Sequence, residues 1–268
     1  MQSSGMPELA EVEYFRAIWD AGVRQRVEKV KLHAGKRIFR GSDSRLLQRA
    51  LTGATFLGSE TRGKQIALRF SGDAWLGIHL GMSGDMRVEP PDFKPEKHDH
   101  LTLFQKKRAL VLKDPRMFGR VRFHVGKDLP DWWSSPAPAI TSRQFSLKWV
   151  REALQRRRGP IKGALLSQNI FPGVGNWMAD EILWQAGVSP TRVASGLNED
   201  ELHALWKATR SITKTALKTI GVDWGDPPKN WLIHVRWKKT GKCPRDGSKL
   251  CRETIAGRTT AWCAQCQE

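Results

Sequence analysis

The sequence contains no cysteine in its first 242 residues, because all four cysteines lie in the last 26. This distribution excludes the evenly cross-linked scaffold of a small secreted protein. There is also no apolar run of the ~20 residues that a membrane-spanning helix needs, and no secretory signal of basic residues followed by an apolar stretch. We therefore expect a soluble intracellular protein, whose 268 residues suffice for about two domains.

The sequence is also short of acidic residues. It has 27 Asp and Glu against 45 Lys and Arg, which gives a formal net charge of +18. Such an excess indicates a polyanionic partner such as nucleic acid, although a merely basic soluble protein is the plain alternative. An anionic membrane surface is a weaker candidate, because no amphipathic basic helix stands out.

The first half of the chain predicts one helix followed by strands. Apolar residues recur at helical spacing from Val12 to Trp19, so a helix should begin near Ala10. Between Val27 and Val125, short apolar stretches alternate with Gly, Asp and Lys turns, which predicts a β-sandwich or barrel. Strands are expected over residues 65–70, 74–79, 100–104 and 109–112.

The second half predicts helices and a short hairpin. Three prolines mark residues 129–141 as a linker between domains. Asn198 and Glu201 have the spacing of a capping box and predict a helix to about Leu217. The tail from Lys242 is predicted to form a small metal-bound hairpin, because clustered cysteines in an intracellular chain more often bind metal. Further helices are expected over residues 146–156, 161–168 and 176–186.

Seven short motifs follow one another along the chain. Together they resemble the formamidopyrimidine-DNA glycosylase / endonuclease VIII family, and the resemblance covers nearly the whole chain from Met6. No single motif would be specific, but seven in order leave little room for coincidence. The motifs are Pro7-Glu8-Leu9-x-Glu11-Val12-Glu13, Arg62-Gly63-Lys64, His79-Leu80-Gly81-Met82-Ser83-Gly84, Pro95-Glu96-Lys97-His98-Asp99-His100, Asp114-Pro115-Arg116-x-Phe118-Gly119, Gly173-Val174-Gly175-Asn176 and Gly257-Arg258-Thr259-Thr260 before Cys263.

The resemblance implies an architecture and an activity. The implied fold is α+β, with an N-terminal β-sandwich preceded by a helix, a helix-two-turn-helix domain and a zinc-finger β-hairpin. The implied activity is base-excision repair: a DNA glycosylase removes an oxidised base through a proline Schiff base, and an abasic-site (AP) lyase then nicks the strand by β,δ-elimination. A monomer acting on damaged duplex DNA, in the cytoplasm or nucleoid, is expected. The expected segments are a leader (1–6), the catalytic sandwich (7–128), a linker (129–145), the helix-two-turn-helix domain (146–232) and the zinc-finger hairpin (233–268).

Pro7 is the nucleophile that the resemblance implies. An α-amino group ordinarily has a pKa of ~7.7–8.0, against ~10.4 for the lysine side chain, so more of it is unprotonated near neutral pH. Attack on the sugar C1′ expels the base and leaves an iminium, whose charge acidifies the C2′ hydrogen. Judged alone, Pro7 would be an ordinary first-turn helix residue. An amide nitrogen cannot form an iminium, so we hypothesise that Met6 is the true start and is removed.

The resemblance also implies the groups that move protons. Glu8 would protonate the sugar ring oxygen or the departing base, although alone it would be a first-turn glutamate favoured by the helix dipole. Glu11 shares the motif and would support the same site. Lys64 would contact phosphate beside the lesion and donate a proton in β-elimination. Arg258, at the tip of the hairpin, would bind phosphate and assist δ-elimination.

Several residues are predicted to contact DNA. Extruding a base leaves a hole in the stack that apolar or planar side chains must fill. The resemblance assigns this to Met82, Arg116 and Phe118; core packing is the alternative for Met82 and Phe118, but both lie in turns. Backbone N–H groups of the glycine-rich turn before residue 176 should bind phosphate at a helix N-terminus. The remaining predicted contacts are Arg157, Lys162, Asn176 and His98, for which a structural histidine is the alternative.

The cysteine hairpin departs from the zinc pattern C-x2-C-x16-C-x2-C of many family members. Cys243, Cys263 and Cys266 fit that pattern, but its second position is Asp246. Zinc accepts carboxylate oxygen, though all-cysteine or cysteine/histidine sites are commoner in structural roles. We expect structural Zn²⁺ on the three cysteines with either Asp246 or Cys251 as fourth ligand. A metal-free hairpin is the alternative.

Two other functions and the choice of lesion stay open. A DNA-binding protein of the same fold with a blocked proline would bind damage without cutting it. A nucleic-acid-binding module of a translation or transcription assembly is suggested by charge and the cysteine ribbon alone. The trio Met82, Arg116 and Phe118 resembles the purine-lesion branch of the family. The segment 217–237, however, looks shorter than the loop with which that branch covers 8-oxoguanine, so oxidised purines and pyrimidines are both open.

Overall fold

The computed structural model describes residues 6–134 and 137–268 of the chain. Within them the chain divides into two compact units. The sandwich unit comprises residues 6–7 and 11–134, and the helical unit comprises residues 8–10 and 137–268. Apart from Met6, the predicted leader lies outside the described residues. None of the helices in this described part combines the length and apolar character that crossing a bilayer requires.

Eight antiparallel strands form the sandwich unit, which confirms the predicted β-sandwich. They are β1 Val27–Leu32, β2 Phe56–Arg62, β3 Gln65–Phe70, β4 Ala74–His79, β5 Asp85–Glu89, β6 Asp99–Gln105, β7 Arg108–Lys113 and β8 Arg120–Val125. One sheet has the order β1-β6-β7-β5 and the other the order β2-β3-β4-β8. The predicted strands at 65–70 and 74–79 coincide with β3 and β4.

The strand β3 illustrates why these segments form sheets. Ile66, Leu68 and Phe70 are buried in the apolar core at alternate positions, as a strand with one core-facing side requires. Gly63 has a φ of 59° in the two-residue turn between β2 and β3, a conformation that glycine adopts without steric cost. The tight turn places Lys64 at its tip.

Two helices accompany the strands. The helix α1, Leu9–Trp19, begins one residue before the predicted start. The helix α2, Ser44–Leu51, was not predicted; the side chain of Asp43 caps it by accepting the N–H groups of Arg45 and Leu46. Its apolar side chains pack into the core of the sandwich.

The predicted linker is packed at its start. Trp132 and Trp133 lie in a short 3-10 turn, Asp131–Trp133, and Trp133 is buried. A Cβ atom on Gly77 would lie 2.6 Å from the Trp132 ring, so the glycine leaves room for the indole on β4. The guanidinium of Arg62 lies 5.1 Å from the centre of the Trp133 ring. Two of the 12 tryptophans of the chain thus attach this segment to the sandwich.

The helical unit contains five helices and the hairpin. They are α3 Leu147–Leu154, α4 Ile161–Leu165, α5 Asn176–Ala186, α6 Glu199–Lys218 and α7 Ile220–Asp223, followed by β9 Cys251–Ile255 and β10 Arg258–Trp262. The capping box of Asn198 and Glu201 at the start of α6 is confirmed. Ala256 and Gly257 both have positive φ at the hairpin turn, as two-residue hairpins favour. β10 packs against α5, in which eight of the eleven residues are buried.

Candidate active site and metal centre

Glu8 lies at the N-terminus of α5 within the helical unit. Its buried carboxylate accepts three backbone N–H bonds: Oε2 from Gly175 at 2.8 Å and Met178 at 3.1 Å, and Oε1 from Trp177 at 2.8 Å. A helix N-terminus offers unsatisfied N–H groups and the positive end of the dipole, both of which favour an anion. The carboxyl group directly after Pro7 is therefore held in a defined orientation.

The glycines before α5 allow this approach. A Cβ atom on Gly175 would overlap the carboxyl carbon of Glu8. Gly173 has a φ of 92°, accepts the N–H of Leu9 at 3.1 Å, and would bring a Cβ atom within 2.6 Å of the Leu9 side chain. The N–H groups of Gly175 and of the first turn of α5 bind Glu8, so they are not free for the phosphate that the sequence predicted at this turn.

Lys162 also requires a correction. Its side chain is fully buried, pairs with the carboxylate of Asp180, and donates from Nζ to the carbonyl oxygen of Asn176 at 3.0 Å. Burial lowers the pKa of Lys162, and the carboxylate of Asp180 opposes that shift. A lysine without exposed surface cannot reach a DNA phosphate, so the predicted contact by Lys162 is wrong.

Two predicted basic contacts of the helical unit are exposed. Arg258 is the first residue of β10, beside the hairpin turn, and Arg157 follows the end of α3. The side-chain amide of Asn176, predicted as a phosphate donor, donates to the carbonyl oxygen of Thr259 at 3.0 Å. The strand that carries Arg258 is therefore attached to the first residue of α5.

The other candidate catalytic residues lie in the sandwich unit. Pro7 is buried, and Lys64 is half-buried at the tip of the turn between β2 and β3. The Nζ atom of Lys64 lies 4.0 Å from the sulfur of Met6. The predicted basic group thus lies beside the residue that precedes the predicted nucleophile.

His79, which the sequence did not single out, lies at the end of β4. Its Nδ1 accepts the N–H of Gly81 at 3.0 Å. Burial and, to a smaller extent, the neighbouring cations Lys64, Arg122 and Arg40 together lower the pKa of His79 to about 4. The imidazole is therefore neutral at physiological pH. Its position in one of the seven motifs was the signal that could have identified it.

The three predicted void-filling residues lie on two turns of the sandwich unit that touch each other. A Cβ atom on Gly81 would collide with the backbone of Phe118, so the turns meet without an intervening side chain. The guanidinium of Arg116 lies 4.8 Å from the centre of the Phe118 ring. Phe118 is 43% exposed, which argues against core packing for this residue. Met82 is half-buried.

Asp114 joins these two turns, and the sequence did not reveal that role. Its side chain is fully buried; Oδ1 accepts the hydroxyl of Ser83 at 2.7 Å and Oδ2 accepts the N–H of Gly119 at 2.7 Å. Ser83 Oγ in turn accepts the N–H of Arg116 at 3.2 Å. One carboxylate therefore fixes the relative position of both turns.

The two remaining predicted residues are also in the sandwich unit. His98 is half-buried, and its ring centre lies 6.4 Å from that of His100. Glu11 is 4% exposed on α1. His98 thus keeps surface with which it could contact a ligand, whereas Glu11 is enclosed.

Four side chains of the tail form a group that could hold a metal ion. The sulfur atoms of Cys243, Cys263 and Cys266 and a carboxylate oxygen of Asp246 lie within 4.8 Å of one another. Asp246 Oδ1 accepts two hydrogen bonds from Ser248, which lower the pKa of the carboxyl group and leave Oδ2 directed at the thiols. Such a hydrogen bond orients a metal-binding carboxylate.

Cys251, the other candidate fourth ligand, is outside this group. It begins β9 and pairs with Trp262 in the hairpin register. The turn that carries Cys243 and Asp246 precedes β9, so the metal-binding atoms come from both ends of the hairpin rather than from its strands. The donor set that fits a metal is therefore three cysteines and Asp246.

A buried carboxyl group in α5 predicts a pH-dependent stability. Burial raises the pKa of Glu181 to about 7, although hydrogen bonds from Gln185 and Ile233 oppose the shift. A raised folded-state pKa gives stability that is present below the unfolded value of ~4.5 and is lost as pH rises through about 7. A difference of this size corresponds to on the order of 3 kcal/mol. Denaturant unfolding of Glu181→Gln from pH 5 to 8 should therefore show a weaker loss of stability than the parent protein.

The exposed variant Glu152→Gln serves as its control and should keep the parent's pH profile. A Glu181→Gln profile that runs parallel to the parent's over this range would contradict the assignment.

Comparison with known proteins identifies the family. The model of the formamidopyrimidine-DNA glycosylase N-terminal domain matches residues 6–121, and that of the formamidopyrimidine-DNA glycosylase H2TH domain matches residues 136–224. A formamidopyrimidine-DNA glycosylase of Laribacter hongkongensis is 34% identical, over 98% of this chain and 100% of the relative.

Solved structures show the same fold. A complex between the Lactococcus lactis Fpg and a Fapy-dG-containing DNA matches with a TM-score of 0.88 and 30% identity, over 97% of this chain and 100% of the other. A complex of the wild-type Lactococcus lactis Fpg with an oxidised-pyrimidine-containing DNA matches with a TM-score of 0.88 and 30% identity, over 98% and 100%. The resemblance drawn from the seven motifs is thus confirmed, and the chain belongs to the formamidopyrimidine-DNA glycosylase family.

Proposed function

We propose that this protein is a monomeric base-excision-repair enzyme, a DNA glycosylase and AP lyase that acts on oxidised bases in duplex DNA. The observation that carries the proposal is the carboxylate of Glu8, which directly follows Pro7 and is bound by the N-terminus of α5. Similar proteins carry the glycosylase name and bind damaged DNA. These likenesses do not favour the alternative of a non-catalytic DNA-binding protein.

The proposed chemistry begins with the amine of Pro7. Its nitrogen attacks C1′ as the C1′–base bond breaks, and the proton displaced from that nitrogen passes to the carboxylate of Glu8. Glu8 delivers this proton to the ring oxygen or to the departing base, water protonates the other, and cleavage of the bond between C1′ and the ring oxygen leaves C1′ as an iminium. The resulting iminium permits loss of the C2′ proton and of the 3′-phosphate. Lys64 serves this first elimination. Arg258 binds phosphate and assists the second elimination, which removes the 5′-phosphate.

Binding of the duplex rests on the exposed basic and planar groups. Arg157 and Arg258 would neutralise phosphates, with His98 as a further contact. Met82, Arg116 and Phe118 would occupy the space that the extruded base leaves, and the exposed Phe118 ring under the Arg116 guanidinium suits stacking. Asn176 would support DNA binding indirectly, because its side-chain amide holds the hairpin at the carbonyl oxygen of Thr259.

The lesion class is proposed to be broad. The segment after α6 folds into the four-residue helix α7 and a 3-10 turn, Leu232–His234, with Trp231 and Leu232 buried. Few residues of this segment are left to form a long loop that could cover a damaged base. We therefore propose formamidopyrimidines, hydantoins and oxidised pyrimidines as substrates beside 8-oxoguanine. Single-turnover rates on duplexes carrying one lesion each would rank them.

The activity can be tested against both other functions in one experiment. The protein, with Pro7 as its first residue, is incubated with duplex DNA containing an abasic site, and borohydride is added. A covalent adduct supports the enzyme. Lesion-selective binding without an adduct would point to a non-catalytic protein. Binding without lesion preference would point to a general nucleic-acid-binding module.

We propose that the four-ligand group of the tail holds structural Zn²⁺. Cys243, Cys263, Cys266 and Asp246 supply sulfur and oxygen donors that zinc accepts in a tetrahedral site. The indole N–H of Trp184 and the backbone N–H of Arg245 each donate to the Cys243 sulfur at 3.4 Å, which suits a thiolate. The metal would fix the two ends of the hairpin that presents Arg258.

Metal analysis of two alanine variants tests this ligand set. Asp246→Ala removes one of four ligands, so it should lose zinc or bind it at least ~10-fold more weakly. Cys251→Ala leaves the group intact and should retain one equivalent. Zinc loss in Cys251→Ala with retention in Asp246→Ala would reverse the assignment. Absence of zinc from the parent protein would indicate a metal-free hairpin.

A further inference from the structure

A fully buried carboxylate, that of Asp180, binds three separate parts of the helical unit. It pairs with Lys162 of α4 through Oδ1. Its Oδ2 accepts Arg236 Nε at 3.0 Å and the backbone N–H of Ala261 at 3.2 Å. The Arg236 side chain is 1% exposed. One anion in α5 thus joins a helix, the segment before the hairpin and the strand β10.

This arrangement is expensive to bury. Removing ions from water costs several kcal/mol per ion even after relaxation, and a hydrophobic replacement is often no less stable. Two cations around one carboxylate are therefore weak evidence for stability. The effect of these two ion pairs is therefore better sought in geometry, because each bond to Asp180 fixes one element of the unit relative to α5.

The geometry concerns both predicted catalytic groups of this unit. The first turn of α5, next to Asp180, holds Glu8. The strand β10, whose Ala261 N–H binds Asp180, carries Arg258 three residues before Ala261. A second attachment, from the amide of Asn176 to the carbonyl oxygen of Thr259, holds the same strand one residue from Arg258. Lys162, which pairs with Asp180, also donates to the carbonyl oxygen of Asn176 and so binds the start of α5.

We propose that Asp180, with Arg236, is a positioning residue that sets Arg258 relative to α5 for the second elimination. This inference rests on the proposed lyase function. In the first elimination a base takes the C2′ proton and the 3′-phosphate leaves. In the second, a proton is lost from C4′ and the 5′-phosphate leaves. A loosened β10 should impair the step that Arg258 assists more than the first, which Pro7 and Lys64 serve.

The test is the ratio of the two cleavage products. The full protein with Pro7 as its first residue and zinc bound is given an end-labelled duplex with one abasic site, and δ- and β-elimination products are separated. For Asp180→Asn the δ-to-β ratio should fall by roughly 10-fold, since small misplacements of a reacting group cause losses of this size or more. Because the β-elimination product is the precursor of the δ-elimination product, both are followed in time with protein in excess over DNA. The ratio of the two rate constants then does not depend on the fraction of folded protein, so a merely structural defect would leave it unchanged.

Further variants cover the case that Asp180→Asn does not fold. Arg236→Met leaves the Lys162–Asp180 pair and should lower the ratio in the same direction, whereas Arg236→Lys keeps the charge and should restore part of it. Glu199→Gln removes a carboxylate from an exposed ion pair with Arg151 and should leave the ratio unchanged. Unchanged ratios in both Asp180→Asn and Arg236→Met overturn the inference. Failure of the parent protein to form any product overturns the proposed function instead.

Discussion

A chain that begins at Pro7 should form a borohydride-stable adduct with abasic-site DNA, and the same chain preceded by residues 1–6 should form none. The reason lies in the nitrogen: within the chain it is an amide whose lone pair is delocalised. As the first residue it is a secondary amine that can condense with C1′. We expect strand scission at the abasic site to fall below detection in the longer form, measured by gel electrophoresis with intact-mass confirmation of each N-terminus.

An acetylated form provides the matched control. Acetylating the terminal Pro7 of the short chain blocks the amine without adding residues and should also abolish the adduct. Duplex binding measured without borohydride should persist in all three forms, because the exposed basic groups are unchanged. Undiminished scission by the longer chain would mean that another amine is the nucleophile.

The second large effect is expected for Glu8→Gln. Glutamine cannot supply the proton that general acid catalysis requires, so single-turnover release of a damaged base should slow by ~10²–10⁴-fold. An amide also has a single acceptor oxygen, so one N–H donor at the start of α5 would face an NH2 group. Adduct formation at a preformed abasic site should be less affected, because no base has to leave there.

Gly175→Ala tests the same point without changing the carboxyl group. The added Cβ atom would displace Glu8 from its three N–H donors. We expect the same selective loss of base release, with adduct formation at abasic sites less affected. A Glu8→Gln variant that releases damaged bases at the parent rate would remove Glu8 from the mechanism.

Local signals in the sequence predicted much of the fold. Short apolar stretches between Gly, Asp and Lys turns located β3 and β4, whose buried side chains contribute to the core of the sandwich. The capping box of Asn198 and Glu201 located the start of α6, since its two hydrogen bonds join residues three apart. Both signals depend on neighbours in the chain, which a sequence displays directly.

The errors concern partners that are distant in the chain. Glu8 binds Gly175, 167 positions later, so the glycine-rich turn looked like an open phosphate site. Lys162 looked like another surface lysine because its counter-ion, Asp180, belongs to a different helix. The choice between Asp246 and Cys251 depended on how the hairpin ends fold back, which spacing alone left open.

The junction at Asp114 has a consequence for the encounter with DNA. Because the carboxylate ties the Met82 turn to the Phe118 turn in the folded protein, the conformational entropy of ordering both is lost on folding rather than on binding. In the proposed role of these turns, Met82, Arg116 and Phe118 would enter the duplex without a further ordering step. More of the free energy of binding to DNA is then available to unstack the base.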